Sequence, residues 1–320
     1  MLTVSVIGLG LIGGSLLQAL AYAGYQVSGY DANPQTRAAA QAAGRDGHRW
    51  RIAGSVKEAT AEADVTVLAV PLPAVGDVLD QLAAAGHTGL LSDVTSVKGP
   101  VDQLVQTRLP GARLVGGHPM AGKEVSGFHA SDPSLFAGCA WALCLDPAVR
   151  MDDWLTLAEI ATRLQARVTP VTAAEHDAAV AVVSHLPHLT ASALAAAAGS
   201  GLARTLAAGS YRDGTRVAAT GPDMVAAMCG GNSTALVAAL DDLIERLTQA
   251  RAQLDDDRPI AAVRNWLGPG HDARLRWPAQ PGPIEEIRAT PEELLRLGRS
   301  GGWVTEVAAD RRTVMGARPA

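Results

Sequence analysis

The sequence of 320 residues is poor in cysteine, in lysine and in any excess of basic charge. Its three cysteines, Cys139, Cys144 and Cys229, are odd in number and make no disulfide framework, which predicts a reducing, cytoplasmic location. It has three lysines, and its 27 basic residues are outnumbered by 32 acidic ones, for a net charge of −5. Nucleic-acid binding depends on a basic surface, so we exclude nucleic acid as a general partner.

Charged side chains are also missing from the first 30 residues, where Asp31 is the first to occur. A membrane segment is one interpretation of this gap. Five glycines lie within the first 24 residues, however, and a signal peptide requires a basic start. The Ala-rich stretch 178–203 is interrupted by Ser, His, Pro and Thr, and we expect it to be a buried helix of a soluble protein. No membrane partner is therefore expected.

The pattern of residues 3–31 is typical of a dinucleotide-binding unit. A β-rich run, Thr3–Ile7, leads into the glycine turn 8–15, an apolar helical segment and a second β-rich run that ends before Asp31. In such a unit the glycines allow a tight turn, close approach of the pyrophosphate, and close packing of a helix whose N-terminus faces the phosphates. A glycine turn that serves packing alone is the alternative.

Asp31 indicates which dinucleotide is bound. A carboxylate at the end of the second strand accepts hydrogen bonds from a ribose diol and repels a 2′-phosphate, so NAD is favoured over NADP. Arg37 and Arg45 lie nearby in sequence and keep NADP open as the less favoured cofactor. The alternative role of Asp31 is to cap a helix that begins near Pro34.

The rest of the chain divides into three parts. Up to about residue 170, β-rich and helical runs alternate, as in a parallel sheet covered on both faces. The expected strands are 65–70, 89–93, 113–116 and 139–145, and the expected helices are 73–84, 100–107 and 152–165. Long helices follow, with an apolar stripe over 236–247 that predicts packing on the first domain or on a second copy of the chain. Charge, Pro and Gly increase after residue 250, which predicts a linker and a small appendage with a helix near 291–299 and a strand over 303–307.

Several motifs that suit enzyme chemistry follow the predicted strands. Loops at the carboxyl ends of parallel strands meet in one cleft, so we expect them to converge. In these motifs the chain resembles the prephenate/arogenate dehydrogenase family of tyrosine biosynthesis, over about residues 1–255. The motifs are 8–15, Val70-Pro71, 93–99, 117–122, His176-Asp177, 184–188 and 212–216.

The resemblance implies a fold with two domains. The first, residues 1–170, is an NAD-binding, Rossmann-like α/β domain with a parallel sheet. The second, residues 171–255, is an all-helical substrate and dimerisation domain in a 6-phosphogluconate-dehydrogenase-like arrangement. Residues 256–320 are a linker and a small C-terminal α/β appendage of unknown role. The residues expected to bind the cofactor are Gly8, Leu9, Gly10, Leu11, Ile12, Gly13, Asp31, Val70, Pro71 and Thr95.

The activity implied by the resemblance is NAD-dependent oxidative decarboxylation of prephenate to 4-hydroxyphenylpyruvate. The implied partners are this small-molecule substrate and a second copy of the chain, in a homodimer. Arogenate dehydrogenase, or a cyclohexadienyl dehydrogenase with both activities, is the alternative. An alternative of another class is a nucleotide-sensing binding protein without turnover.

Two residues are expected to be catalytic. The reaction needs a base that is neutral near pH 7, and His118 lies in a glycine-rich loop beside the predicted cofactor cleft. The resemblance gives His118 the same role, while a loop histidine that bonds to the backbone is the alternative. Ser96 is expected to hydrogen-bond the substrate hydroxyl or His118. Its alternative role is to cap the helix beyond Pro100.

Charged residues are expected to bind the substrate carboxylates. The planar guanidinium of Arg216 suits a bidentate carboxylate clamp, and Arg212 is a candidate for the second carboxylate; solvated arginines are the alternative. The resemblance pairs Glu124 with the clamp arginine at the mouth of the cleft, and a loop-capping role is the alternative. His188 is expected on the substrate side. His185 and His176 are expected to be structural, and no metal site is expected.

Two features depart from the family pattern. Many relatives have a Met-Trp pair after the clamp arginine, where this chain has Met224-Val225. Some relatives end in a regulatory ACT domain. The tail of this chain carries one clear helix signal, which puts feedback control by such a domain in doubt.

Overall fold

The expected parallel sheet forms the N-terminal part of the structure. The computed structural model describes residues 2–44, 50–123, 125–199, 201–278 and 280–320. The strands of the first sheet are β1 (Thr3–Ile7), β2 (Gln26–Tyr30), β3 (Trp50–Ile52), β4 (Val65–Leu68), β5 (Leu90–Asp93) and β6 (Arg113–Val115). They are all parallel, in the order β3-β2-β1-β4-β5-β6. The sequence therefore predicted this sheet and three of its later strands correctly.

Helices connect these strands and cover the sheet. They are α1 (Leu11–Tyr22), α2 (Pro34–Ala43), α3 (Val56–Thr60), α4 (Leu72–Ala85) and α5 (Gly99–Arg108). A later helix, α6 (Met151–Arg163), packs on the edge strand β6. All four side chains of β4 are buried, as expected for a strand covered on both faces. Helix α4 ends at Gly86, whose φ of 68° is the left-handed conformation that glycine adopts readily. The three helices expected in this region are confirmed.

A second, mixed sheet lies beside the first. The chain enters it directly after β6, through β7 (Gly117–Pro119), which runs antiparallel to β8 (Ala140–Cys144); β8 then runs parallel to β9 (Arg167–Val171). The prediction that residues 139–145 belong to the parallel sheet was therefore wrong. After β6 the chain turns at Gly116, and β7 leaves the edge of the first sheet, so β8 pairs with β7 and β9.

The tail residues complete this second sheet. They form β10 (Pro281–Arg288), α14 (Pro291–Arg299), β11 (Trp303–Val307) and β12 (Thr313–Pro319), and the strand order is β10-β12-β11-β9-β8-β7. Val304 pairs with Val168 of β9. Leu297, Val304 and Val314 are fully buried in the same core cluster as Leu20 of α1. The tail helix and strand were predicted correctly, but the tail shares the main core.

Between β9 and the tail lies a region made only of helices, which we call the helical region. Its helices are α7 (Ala173–Val180), α8 (Leu186–Ala197), α9 (Gly201–Thr205), α10 (Gly209–Thr215), α11 (Pro222–Gly231), α12 (Ser233–Leu254) and α13 (Pro259–Leu275). A π-helical turn, Ala181–His185, joins α7 to α8. The core cluster within this region has three buried residues, Ala181, Leu236 and Ala239.

Two expectations about the helical region need correction. The linker expected after residue 255 is helix α13, which continues through Pro269 and packs on α12. The Gly-Pro-Gly at 268–270 interrupts the helical spacing of its apolar residues, so the sequence did not indicate a helix there.

The Ala-rich helix was expected to be buried. The helical run Ala173–Ala197 is mostly exposed in the single chain, since 22% of its most apolar 18-residue segment is buried. By length and composition alone this run could cross a membrane.

Candidate active site

The glycine turn between β1 and α1 has the geometry of a dinucleotide cradle. Gly8 has a φ of 97°, and a Cβ at this position would lie 2.4 Å from the carbonyl oxygen of Ala69. A Cβ on Gly13 would lie 1.9 Å from the carbonyl oxygen of Gly8, so a side chain there would push α1 away from the turn. At Gly10, the N-cap of α1, a Cβ would meet no described atom within 4 Å. This open space over the helix N-terminus suits a pyrophosphate.

Asp31 closes this cradle at the end of β2. Its carboxylate accepts hydrogen bonds from Leu9 N at 2.7 Å and from Asn33 N at 2.8 Å. Asn33 is the residue whose side chain caps α2, so capping does not explain Asp31. Arg37 donates to the carbonyl oxygen of Asp31 at 2.7 Å and stacks on Tyr30. Arg45, the other candidate for a 2′-phosphate, lies outside the described residues.

The remaining expected cofactor residues lie at the ends of the next two strands. Val70 and Pro71 lie between β4 and α4, and the Val70 side chain lies 2.9 Å from the Cβ position of Gly8. Thr95 follows β5, and its hydroxyl lies 2.5 Å from Asp93 Oδ2 and 2.8 Å from the carbonyl oxygen of Val97. This hydroxyl is thus used inside the protein, as is the backbone N–H of Thr95, which donates to Asp93 Oδ2 at 3.0 Å.

Ser96 lies in a half-buried bend between β5 and α5. Helix α5 begins at Gly99 with Lys98 at its N-cap, and no side chain of that cap bonds to the helix. Ser96 therefore does not cap this helix. The first amides of α5 have a different acceptor: Lys98 N and Gly99 N donate to the carboxylate of Asp177, each at 2.8 Å.

A buried ion pair lies beneath this bend. Lys98 Nζ forms an ion pair with Asp93, and the side chains of both residues are at most 1% exposed. Lys98 Nζ also donates to the carbonyl oxygen of Gly117 at 2.6 Å. The pair ties the end of β5 to the start of β7, where His118 follows Gly117. This bond fixes the backbone at Gly117 and so restrains the main chain of the next residue, His118.

His118 lies at the end of a chain of polar side chains from the helical region. His118 Nδ1 is 2.9 Å from His176 Nε2, and His176 Nδ1 is 2.8 Å from Asp177 Oδ1. His176 was expected to be structural, and the sequence reasoning assigned Asp177 no role. The available signal was two adjacent polar residues in a helix of mostly apolar sequence, which begins with the capping box Thr172–Glu175.

The surroundings of His118 favour its neutral form. Burial lowers its pKa well below the usual 6.5, and the nearby His176, Lys98 and His185 lower it further. Only Asp177 acts in the opposite direction. A neutral imidazole at pH 7 is able to accept a proton, as the reading of His118 as a base requires.

Two more histidines of α8 and the π-turn face the same interior. His185 Nδ1 is 3.1 Å from Asn232 Nδ2, which also donates to the backbone oxygen of Asp177 at 2.7 Å. Burial lowers the pKa of His185. Among the described residues, His185 Nε2 and His188 Nδ1 are buried without a hydrogen-bond partner. A ligand that bears hydrogen-bonding groups would satisfy such atoms.

The arginine candidates for substrate binding belong to later elements of the helical region. Arg212 belongs to α10 and forms a long ion pair with Asp213, at 3.4 Å, in which both side chains are mostly exposed. Arg216 is exposed at the start of the 3₁₀ helix Arg216–Ala219, which packs on α8. Glu124 lies outside the described residues. The structure thus joins His118 to the polar side chains of α7, and both arginines are exposed in the single chain.

Comparison with known proteins gives consistent matches. Residues 17–169 match the family model of the prephenate dehydrogenase nucleotide-binding domain, and residues 172–265 match that of the prephenate dehydrogenase dimerization domain. The cyclohexadienyl dehydrogenase of Zymomonas mobilis is 33% identical over 261 residues, 78% of this chain and 88% of that protein. The prephenate dehydrogenase of Bacillus subtilis is 30% identical over 267 residues, 80% and 71% of the two chains. The crystal structure of Synechocystis arogenate dehydrogenase, 26% identical, has a TM-score of 0.75 and covers 86% of this chain and 100% of that one.

Proposed function

The chain belongs to the prephenate dehydrogenase family, and on this basis we propose that it oxidises and decarboxylates prephenate to 4-hydroxyphenylpyruvate with NAD as cofactor. The observation that carries the proposal is His118, a buried histidine of β7 whose surroundings favour its neutral form and whose Nδ1 contacts His176. Arogenate is the second candidate substrate, because relatives named for arogenate and cyclohexadienyl oxidation are similar to this chain.

The chemistry assigns one proton transfer to His118. Its free ring nitrogen accepts the proton of the ring hydroxyl as the carbinol carbon is oxidised to a carbonyl. When bound, the oxidised nicotinamide supplies the acceptor for the hydrogen and two electrons that leave this carbon. The bond to the ring carboxylate then breaks, CO2 leaves, and the bonding electrons complete the aromatic ring. The phenolate oxygen that forms takes the proton back from His118.

The other expected site residues support binding. Ser96 is free of a capping role, and we assign its hydroxyl to the substrate hydroxyl beside His118. The buried, unpartnered Nδ1 of His188 supports a contact with the substrate. We assign the carboxylates of the substrate to Arg216 and Arg212, whose planar groups suit them, with Glu124 paired to Arg216.

The cofactor assignment is supported by the cradle. We assign the pyrophosphate to the backbone of residues 8–13, where Gly10 leaves open space, with Val70, Pro71 and the backbone of Thr95 forming the rest of the wall. The carboxylate of Asp31 supports NAD, since it would repel a 2′-phosphate. Arg37 is already bonded to two backbone carbonyls of the β2–α2 loop, which also disfavours NADP.

The helical region supports a homodimer. Large apolar side chains of this region are exposed in the single chain, and burying them is the usual reason for such a surface. They include Val182, Val183, Leu194, Leu202, Leu206, Met224, Val237, Ile244, Leu247, Leu254, Ile260, Leu267 and Leu275. A groove of about 740 Å³ along α13, at its junction with the end of α12, is lined by Leu254, Ile260 and Leu267. We propose that a second copy covers this surface.

The units of function follow from these assignments. We propose a nucleotide-binding unit at residues 1–170 and a substrate and dimerisation unit that begins at residue 171. The dimerisation unit extends beyond 255 to the end of α13, because α13 packs on α12. A cytoplasmic location is supported by the free thiols of Cys139, Cys144 and Cys229.

The test is an assay of NADH formation with prephenate and with arogenate, each offered NAD and NADP. We expect turnover with prephenate and NAD, and His118→Asn is expected to reduce kcat by about 10²–10⁴-fold without loss of NAD binding. The matched control is His129→Asn, which changes an exposed histidine. NAD binding without NADH formation from either substrate would favour a nucleotide-sensing protein and overturn the proposal.

A further inference from the structure

We propose that His176 and Asp177 are positioning residues that hold the proton of His118 on Nδ1, so that Nε2 is the nitrogen that faces the reaction. This inference rests on the proposed function, in which His118 is the base. Its basis is the continuous chain Asp177 Oδ1, His176 and His118, with contacts of 2.8 and 2.9 Å.

The direction of each hydrogen bond follows from the Asp177 end. An ionised carboxylate only accepts, and Asp177 already accepts from Lys98 N and Gly99 N. Burial alone would raise the pKa of Asp177, but the hydrogen bonds from His176, Gly99 and Lys98 hold it below its usual value. Asp177 is therefore ionised, and His176 Nδ1 carries the proton that it donates.

The remaining protons are then fixed. A neutral imidazole has one donor and one acceptor nitrogen, so His176 Nε2 accepts. The hydrogen bond between the rings therefore runs from His118 Nδ1–H to His176 Nε2. His118 Nε2 is left with its lone pair, which is the form that a general base requires.

The hydrogen-bonded side chains of His176 and Asp177 are buried, so water does not replace their contacts. His176 is 2% exposed and Asp177 is 9% exposed. Asn232 of the helical region holds the backbone oxygen of Asp177, and the first amides of α5 hold its carboxylate. These hydrogen bonds thus cross from the helical region to residues 1–170, which we call the nucleotide-binding part, and their geometry depends on both. Buried polar groups of this kind are costly unless every partner is in place.

Asp177→Asn tests which atom donates in each hydrogen bond between Asp177, His176 and His118. With its oxygen at the Oδ2 position, where it accepts from Gly99 N, the introduced amide would place its NH₂ at the Oδ1 position, toward His176 Nδ1, and would give up the bond from Lys98 N. His176 would then carry its proton on Nε2 and donate to His118, and the His118 proton would move to Nε2. We expect kcat to fall by about 10³-fold, with the KM for prephenate and the Kd for NAD unchanged within about twofold.

The tautomer itself gives a second readout. In protein labelled with ¹⁵N-histidine, NMR spectra of the wild type are expected to show the His118 proton on Nδ1, and spectra of Asp177→Asn to show it on Nε2. If the proton stays on Nδ1 in the variant, the positioning role is overturned while the proposed function stands. If the proton moves and kcat does not change, His118 is not the base and the positioning role is overturned, while turnover of prephenate still supports the proposed function.

A matched pair at His176 covers the outcome in which Asp177→Asn does not fold. His176→Gln keeps a side-chain oxygen that accepts from His118 Nδ1–H, whereas His176→Phe keeps an aromatic ring without an acceptor. We expect the Gln variant to retain activity within about tenfold of wild type, and the Phe variant to lose at least about 10²-fold in kcat. Equal kcat in two variants that have the same melting temperature would assign His176 a purely structural role and overturn the proposal.

Discussion

The nucleotide-binding part and the helical region bury their apolar side chains in opposite ways. The nucleotide-binding part has two large core clusters, and the tail strands add Val304 and Val314 to one of them. In the helical region the core cluster has three residues, and many large apolar side chains face outward in the single chain. The first part therefore encloses large cores of its own, whereas we propose that a second copy covers the apolar surface of the second.

This difference divides the proposed active site. His118, Ser96 and the cofactor cradle belong to the part with its own core, whereas Arg212 and Arg216 belong to the helical region. His176 and Asp177 lie on α7, which connects the two. Cofactor binding should therefore survive loss of the dimer, and substrate binding should not.

The largest effect is expected from charges placed in the α12–α13 groove. Ile260→Glu combined with Leu267→Glu should raise the dimer dissociation constant by at least about 10³-fold, because both carboxylates would be buried against a partner. Light scattering after size-exclusion chromatography measures the mass. Ile284→Glu is the control, since Ile284 is also exposed but lies on β10, outside the helical region. A double variant that remains dimeric would show that this groove is not the interface.

The next largest effect is expected from substitutions that leave a cavity, because they should change the free energy of unfolding differently in the two regions. Leu79→Ala removes a fully buried side chain of α4 and should lower the free energy of unfolding by about 3 kcal/mol at any protein concentration. Leu247 is 54% exposed in the single chain, so Leu247→Ala should be destabilising only at concentrations at which the dimer forms. Urea unfolding at two protein concentrations measures both. A Leu247→Ala variant with unchanged stability in the dimer would leave this side chain outside the interface.

Substitutions at two glycines of the cradle should separate a loss of NAD binding from a loss of thermal stability. Gly10→Ala fills open space over α1 and should weaken NAD binding by at least about tenfold, with little change in melting temperature. Gly13→Ala places a Cβ 1.9 Å from the carbonyl oxygen of Gly8 and should lower both the affinity for NAD and the melting temperature. Calorimetric titration with NAD and thermal unfolding measure the two effects. Unchanged affinity in Gly10→Ala would place the pyrophosphate elsewhere.

The smallest effect is expected in the pH profile. Because burial and the nearby His176, Lys98 and His185 lower the pKa of His118, while Asp177 acts against them, the neutral base persists below pH 6.5. kcat should therefore fall only as the pH drops through this lowered pKa, at about tenfold per unit beyond it. The midpoint should be the same at all protein concentrations that keep the dimer. A midpoint at or above pH 6.5 in folded enzyme would contradict the assignment.

The sequence predicted features encoded over short stretches of chain. The glycine turn and the strands of the first sheet each depend on a few neighbouring residues, whereas His118, expected in a loop, lies in strand β7. The contact between His118 and His176 joins residues 58 positions apart, and the bonds from Lys98 and Gly99 to Asp177 span 79 and 78, so no local pattern reveals them. Helix α13 was missed for the reverse reason, since Gly268-Pro269-Gly270 is a local turn signal that packing against α12 overrides.

The position of β9 in its sheet affects how the protein is made. Its neighbour β8 is synthesised shortly before it, but its other neighbour, β11, follows only after the whole helical region. While the ribosome makes that region, β9 presents an open edge, which is the kind of strand that pairs wrongly with other chains. Because β7, which carries His118, belongs to this sheet, a nascent chain acquires its complete catalytic sheet only after β11 has docked. Slow synthesis of the tail should therefore lengthen the time for which the new enzyme needs protection by chaperones.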